Sequence, residues 1–251
     1  MRVLFVGDIY GKPGRRLASY LLSELRQNEA LDFVIANGEN AAGGFGLTLP
    51  ILHKLQRYGI DCITTGNHLW DKKPITEELD SLSNLLRPAN YPDSVSGQGS
   101  QIFDNRVGVI NLIGRSFMVQ VECPFRTALR EIEKLSTPVI FIDFHAESTS
   151  EKQALAWWLD GKVSAVLCSH THVQTADEQI LPQGTAYITD VGMTGPFNSV
   201  IGVDPHKSIR HFTHGIPQRF DTARGEEHLN GVIIDVDEKS GKALSIKRIV
   251  V

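Results

Sequence analysis

Six short apolar runs recur along the 251-residue chain, most of them ending directly in a polar cluster: VLFVGD, FVIANGEN, CITTGNH, VGVINLIG, PVIFIDFHAE and VSAVLCSHTH. They are rich in Val and Ile and show no polar–apolar alternation. A strand carries such a pattern when both of its faces are covered, so the runs predict strands in layered sheets. Helix-like stretches lie between the early runs. Arg15–Asn28 sets Leu17, Leu21, Leu22 and Leu25 on one face, and Thr48–Tyr58 opens on a capping threonine with Pro50 in its first turn. Ser150 with Gln153 resembles a capping box ahead of Ala154–Leu159. This alternation predicts an α/β fold with layered sheets. GVIIDVDEKSGKALSIKRIVV, at the end of the chain, predicts a β-hairpin turning at Lys239–Gly241. Nothing reads as an internal repeat or a low-complexity linker, so one domain over residues 1–251 is expected.

Composition narrows the function classes. A net charge of −4 disfavours a broad nucleic-acid surface, which needs clustered Lys and Arg, but it is compatible with a small phosphate substrate held by a metal. Cys62, Cys123 and Cys168 have no CxxC spacing, and two of them sit inside apolar runs, which reads as buried free thiols in a reducing compartment. The chain opens on a core strand with no charged and apolar leader pattern, and no run approaches the ~18 apolar residues of a membrane span. A cytoplasmic protein without membrane contact is expected.

The polar clusters at the strand ends carry the chemistry. Asp8, Glu39 with Asn40, Asn67 with His68, His145, and His170 with His172 each follow an apolar run. In open α/β sheets, ligands bind outside the carboxyl ends of the strands. Each residue taken singly has an ordinary explanation, such as a turn, a helix cap or a satisfied histidine. Five such strand ends together supply the mixed oxygen and nitrogen donors of a transition-metal site. The donors are too many for one tetrahedral ion and suggest two metals sharing a carboxylate.

In order, "GD" at 7–8, "NGEN" at 37–40, "GNH" at 66–68, "FHAE" at 144–147 and "SHTH" at 169–172 resemble the calcineurin-like metallophosphoesterases, whose blocks run GDxHG, GDxxD, GNHD/E, a lone His and GHTH. Tyr10 stands where that pattern has its first histidine, Glu39 where it has a bridging aspartate, and Ser169 where it has a glycine. With "NGENAAGGFGLT", these departures resemble the YmdB-like branch of cyclic-nucleotide phosphodiesterases, over essentially the whole chain. The resemblance implies a four-layer α-β-β-α sandwich. It also implies two divalent ions, Fe or Mn: one held by Asp8, Glu39, Asn40 and His172, the other by Glu39, Asn67, His145 and His170. Asn40 would fill the place that Tyr10 cannot, because an amide oxygen ligates where a neutral phenol does poorly.

The implied reaction is hydrolysis of cyclic-nucleotide phosphodiesters, 2′,3′-cyclic and also 3′,5′-cyclic, by a metal-bridging hydroxide, with His68 as general acid. A metal-binding regulator or scaffold with a degenerate site is the alternative, favoured only by Tyr10. RNA as a partner gains no support from the composition, while the branch resemblance fits a homo-oligomer. GDIYGKPG is one residue short of P-loop spacing and lacks its Ser or Thr, and no GxSxG is present. The stretch 192–228, with His206, His211, His214, Arg210 and Arg219, reads as a substrate-facing wall or a partner-contacting loop. Phe45 in GGFG reads as loop packing or as a base-stacking ring.

Overall fold

A computed structural model of the chain describes residues 1–217 and 219–251. Among the described residues there are fourteen strands, six of them formed by the apolar runs, and six α-helices. The strands are β1 (Arg2–Val6), β2 (Asp8–Ile9), β3 (Phe33–Asn37), β4 (Cys62–Thr64), β5 (Ser100–Phe103), β6 (Val107–Ile113) and β7 (Val139–His145). They continue as β8 (Ala165–Ser169), β9 (Gln179–Ile180), β10 (Ala186–Ile188), β11 (Met193–Pro196), β12 (Glu227–His228), β13 (Asn230–Val236) and β14 (Ala243–Val250). The helices are α1 (Gly11–Asn28), α2 (Leu49–Arg57), α3 (Lys73–Thr76), α4 (Pro124–Lys134), α5 (Thr149–Trp158) and α6 (Pro205–His214).

One sheet has the order β14-β13-β1-β3-β4 and a second the order β5-β6-β7-β8-β10-β9; a small third sheet joins β12, β11 and β2. β1, β3 and β4 are parallel, as are β6, β7, β8 and β10, so all of them bring their carboxyl ends to a sheet edge. Burial explains why the runs show no alternation. Val3, Phe5, Phe33 and Ile35 join Val109, Phe141, Leu167 and Ile188 in one apolar cluster, while Leu4, Val6, Val34 and Ala36 pack with Ala18, Leu22, Leu52 and Leu55 of α1 and α2. On the other sheet, Ile140, Ile142 and Phe144 face Ala128 and Leu155 of α4 and α5. Both faces of the central strands are therefore apolar, and period-2 patterning there has nothing polar to display.

Three local expectations shift. α1 starts at Gly11 rather than Arg15, with Gly11 at φ +57° and Pro13 inside the first turn. α2 starts as expected after Thr48, but the threonine side chain makes no capping hydrogen bond. The cap of α5 is Ser148, whose hydroxyl accepts the Glu151 N–H, so the box begins two residues before Ser150. The terminal hairpin pairs β13 with β14 and turns through Asp237–Lys242, consistent with the expected turn. Among the described residues of the stretch 192–228 are β11, α6 and β12.

Candidate active site and metal centre

The parallel strands end where the polar clusters begin, and the fold draws those clusters together. Glu39, just beyond β3, is 1% exposed and lies at the centre. Its Oε1 is 3.0 Å from His145 Nε2 and accepts from Asn40 Nδ2 at 3.3 Å, while its Oε2 accepts the His68 backbone N–H at 3.0 Å. His145 closes β7, and its Nε2 is 2.9 Å from His170 Nδ1. Asn40 Nδ2 is 3.0 Å from His172 Nε2, which is itself 3.8 Å from Asp8 Oδ1. An amide rotated end for end presents its oxygen at the same place, so Asn40 can offer a cation a ligand atom. One donor atom each from Glu39, His145 and His170 fits within 4.8 Å of the others.

In each histidine the nitrogen facing away from the cluster is fixed by an acceptor. Ser169 Oγ donates to Asp143 Oδ1 at 2.6 Å, so its lone pair accepts from His145 Nδ1 at 3.0 Å. His172 Nδ1 donates to the Ile201 carbonyl at 2.9 Å, and His170 Nε2 faces Glu147 Oε2 at 3.2 Å. Each partner holds the outward nitrogen and turns the inward one towards the cluster, where it can ligate once any proton on it is displaced, which is how ligating imidazoles are oriented. Asp143 is buried and also accepts from Asn37 Nδ2 at 2.9 Å and Thr64 Oγ1 at 2.5 Å. Asn37 Oδ1 in turn accepts the Glu39 N–H at 3.1 Å, tying this network to the central carboxylate.

Two observations test whether the cluster suits cations. Asp8 Oδ1 and Asn67 Oδ1 are buried acceptors without a hydrogen-bond donor, a costly arrangement that a metal ion would relieve. A side chain at Gly66 would put its Cβ 2.5 Å from Glu39 Oε2 and overlapping His145, so the residue before Asn67 must be glycine for the donors to converge. The residues fit a metal centre.

The electrostatics agree. Burial pushes Asp8 up to about 6, against the pull of His172 and His145. Burial opposes the ionisation of Glu39, but the charge and hydrogen bond of His145 outweigh it and hold the carboxyl below its usual range. His145 is correspondingly raised despite burial, because Glu39 faces it. Its neighbour His170 is pushed down to about 3 by burial and by the charge of His145. Protons alone satisfy this group poorly, and metal binding would displace the one shared by Glu39 and His145.

The cluster opens into a cavity of about 440 Å³, lined among others by Tyr10, Phe45, His68, Glu147, Ile201 and Phe220. A hollow of about 480 Å³ beside Lys12, Arg16 and Arg224 contains none of the clustered residues. His68 Nδ1 lies 2.8 Å from Asp71 Oδ2, and its ring meets the edge of Phe45 at 5.0 Å. Phe45 is thus both a packing neighbour of His68 and part of the cavity wall. Tyr10 packs edge-on against His172 at 5.6 Å, and burial pushes its phenol up to about 12, keeping it neutral. From the stretch 192–228, Ile201, Val203 and Phe220 reach the cavity, whereas His206, His211 and His214 lie on α6 and do not line it.

A family model for the YmdB-like proteins matches residues 4–249. The chain belongs to the YmdB-like family. Among relatives of this YmdB-like chain, a Bacillus subtilis protein named 2′,3′-cyclic-nucleotide 2′-phosphodiesterase is 49% identical over 256 residues, covering 100% of this chain and 97% of that protein. A hypothetical protein from Thermus thermophilus superimposes with a TM-score of 0.93 at 39% identity, covering 100% of this chain and 99% of the other. A crystal structure described as a novel phosphatase from Mycoplasma pneumoniae gives 0.94 at 38% identity, covering 100% and 93%.

Glu147, Asp71, Asp143 and Asp190 also touch this YmdB-like site or its loops, and the strand-end pattern does not include them. Glu147 and Asp71 were in view, one inside FHAE and the other three residues after His68, a helical neighbour spacing. Asp143 was concealed within the apolar run PVIFIDF, where a charged residue was itself the signal.

Proposed function

We propose that this chain is a dinuclear metal-dependent phosphodiesterase that hydrolyses 2′,3′-cyclic nucleotides at the 2′ bond, with 3′,5′-cyclic nucleotides as a further substrate class. The reading is supported by the name of the Bacillus subtilis relative and, in this chain, by one observation above all. The Glu39 carboxylate contacts both His145 and Asn40, His145 in turn neighbours His170, and Asn40 neighbours His172, which lies beside Asp8. Asp8, Glu39, Asn40 and His172 would hold one ion, and Glu39, Asn67, His145 and His170 the second, with Fe or Mn favoured by the mixed oxygen and nitrogen set. When bound, the ions would supply Lewis-acid charge to the phosphate oxygens and lower the pKa of a water.

The chain's own groups complete the reaction. Water adds to phosphorus, the P–O2′ bond breaks, and the leaving oxygen takes a proton. Asp71 holds His68 Nδ1, which leaves Nε2 to deliver that proton at the cavity mouth. Phe45 packs the His68 ring from the side and, with Ile201 and Phe220, gives the cavity an apolar wall suited to a nucleobase. The product is the 3′-nucleotide.

The same reading extends to the architecture: one domain over residues 1–251 as a four-layer α-β-β-α sandwich. Apolar clusters between the two large sheets, and between each sheet and its own helices, support it. No helix among the described residues is long and apolar enough to cross a membrane. Free Cys62, Cys123 and Cys168 support a reducing, cytoplasmic setting.

Metal analysis of purified, manganese-loaded protein tests the centre. Two ions per chain are expected. One ion per chain would remove the bridging role given to Glu39.

A further inference from the structure

Lys152 and Asp190 are both fully buried, with Nζ 2.8 Å from Oδ2. Neither belongs to the ligand set, and neither lines the cavity. A buried ion pair is a poor source of stability, because desolvating two charges offsets their attraction. Its hydrogen bonds show where it acts. Asp190 Oδ2 also accepts from the Thr171 backbone N–H at 3.0 Å and from Thr171 Oγ1 at 2.8 Å. Thr171 stands between His170 and His172, both of which have left-handed backbones, at φ +103° and +65°. Non-glycine residues hold such conformations only where their surroundings over-determine them.

The other oxygen of the same carboxylate reaches a second strand. Asp190 Oδ1 accepts the Gly192 N–H at 2.8 Å, and the Gly192 carbonyl accepts the Asp8 N–H at 3.0 Å. The Asp190 backbone is itself stitched to Thr175, N–H to Oγ1 at 2.9 Å and carbonyl to N–H at 3.0 Å. One carboxylate, saturated by four donors and neutralised from α5, therefore fixes the backbone that presents Asp8, His170 and His172.

We infer that the buried Lys152–Asp190 pair is a positioning device for the metal centre, setting the loop that carries His170 and His172 in register with Asp8. The inference rests on the two-ion reading above. Of the residues the clamp fixes, Asp8 and His172 belong to one ion site and only His170 to the other, so loss of the clamp weakens the Asp8–His172 site more. Glu39, Asn67 and His145 are held independently of it, through Asn37, Gly66 and Ser169.

The test is manganese titration of the full-length protein, followed by calorimetry and by electron paramagnetic resonance, with folding monitored by circular dichroism. Wild type is expected to bind two ions and give a spin-coupled spectrum. Lys152→Met/Asp190→Asn leaves no lone buried charge, and is expected to remain folded and keep one ion. Its second ion should bind at least tenfold more weakly, with an uncoupled spectrum. Thr171→Val, which removes only one donor, should show a smaller change in the same direction and carries the test if the double variant does not fold. Wild-type affinity and a coupled spectrum in whichever variant folds would overturn the positioning role, as would equal weakening of both ions. Failure of the wild type to bind two ions would instead overturn the metal reading, and this inference with it.

Discussion

Ser169 Oγ lies 3.0 Å from His145 Nδ1 and completes a buried chain from Asp143 to the imidazole. A serine at this position places a hydroxyl where the superfamily pattern has only a glycine. The hydroxyl passes the orienting influence of a carboxylate to a histidine it does not touch, fixing the tautomer that points Nε2 at Glu39.

Removing that hydroxyl should therefore act on metal affinity as well as on folding. Ser169→Gly leaves Asp143 and His145 each short of a partner and is expected to weaken manganese binding by about 10-fold or more. The accompanying stability loss should be about 1–3 kcal/mol, read by denaturant unfolding. Unchanged binding would show that His145 is oriented without the relay.

His68→Ala tests the general acid. The variant should retain both ions, because His68 offers Glu39 only its backbone N–H. Turnover of 2′,3′-cyclic AMP should fall by about 10²-fold or more, and that of bis(p-nitrophenyl) phosphate by much less, since its leaving group needs no proton. Equal losses on the two substrates would argue against proton delivery. Asp71→Asn, which weakens the hold on Nδ1, should give a smaller loss with the same substrate dependence.

Phe45→Ala tests the apolar wall. Base stacking is worth about 1–3 kcal/mol, so kcat/KM for 2′,3′-cyclic AMP should fall by about tenfold or more while glycerol 1,2-cyclic phosphate, which has no base, changes little. Parallel losses on both would assign Phe45 to support of the His68 ring, which it touches.

The segment following the ligand loop carries a pH-dependent contribution to stability. Burial opposes the ionisation of Asp177, but hydrogen bonds from Thr175 Oγ1, at 2.6 Å, and from Thr189 outweigh it and hold the carboxyl below its usual range. The folded pKa is thus depressed, so its stabilising contribution is present above the ordinary carboxylate pKa. It is lost as pH falls through the folded value. Asp177→Asn should lower stability at pH 7 and narrow the gap from wild type at about pH 3. A gap that is constant across the acid limb would contradict this.

The strand runs were legible in the sequence because covered sheets force apolar residues onto both faces, and the strand-end polar residues were legible because such residues interrupt those runs. Local caps were less so: Ser148 and Ser150 offer the same chemistry two residues apart, and only tertiary packing selects one. Asp190 follows an apolar run as Asp8 does, but its partner Lys152 is 38 positions away on a helix. No local pattern indicates which buried charge a lysine will meet. The stretch 192–228 reaches the cavity through Ile201, Val203 and Phe220, which lie on either side of α6, whereas His206, His211 and His214 sit on the helix and do not line it.

Hydrolysis at a centre built around Glu39 is tested most directly by analysis of the products. Protein loaded with Mn²⁺ or Fe²⁺ is incubated with 2′,3′-cyclic AMP, and the nucleotides are separated by chromatography. The account predicts metal-dependent conversion to 3′-AMP, with turnover abolished in Glu39→Ala. No hydrolysis by fully loaded protein would contradict it and favour a metal-binding regulator. Undiminished hydrolysis by Glu39→Ala would place the chemistry elsewhere in the molecule.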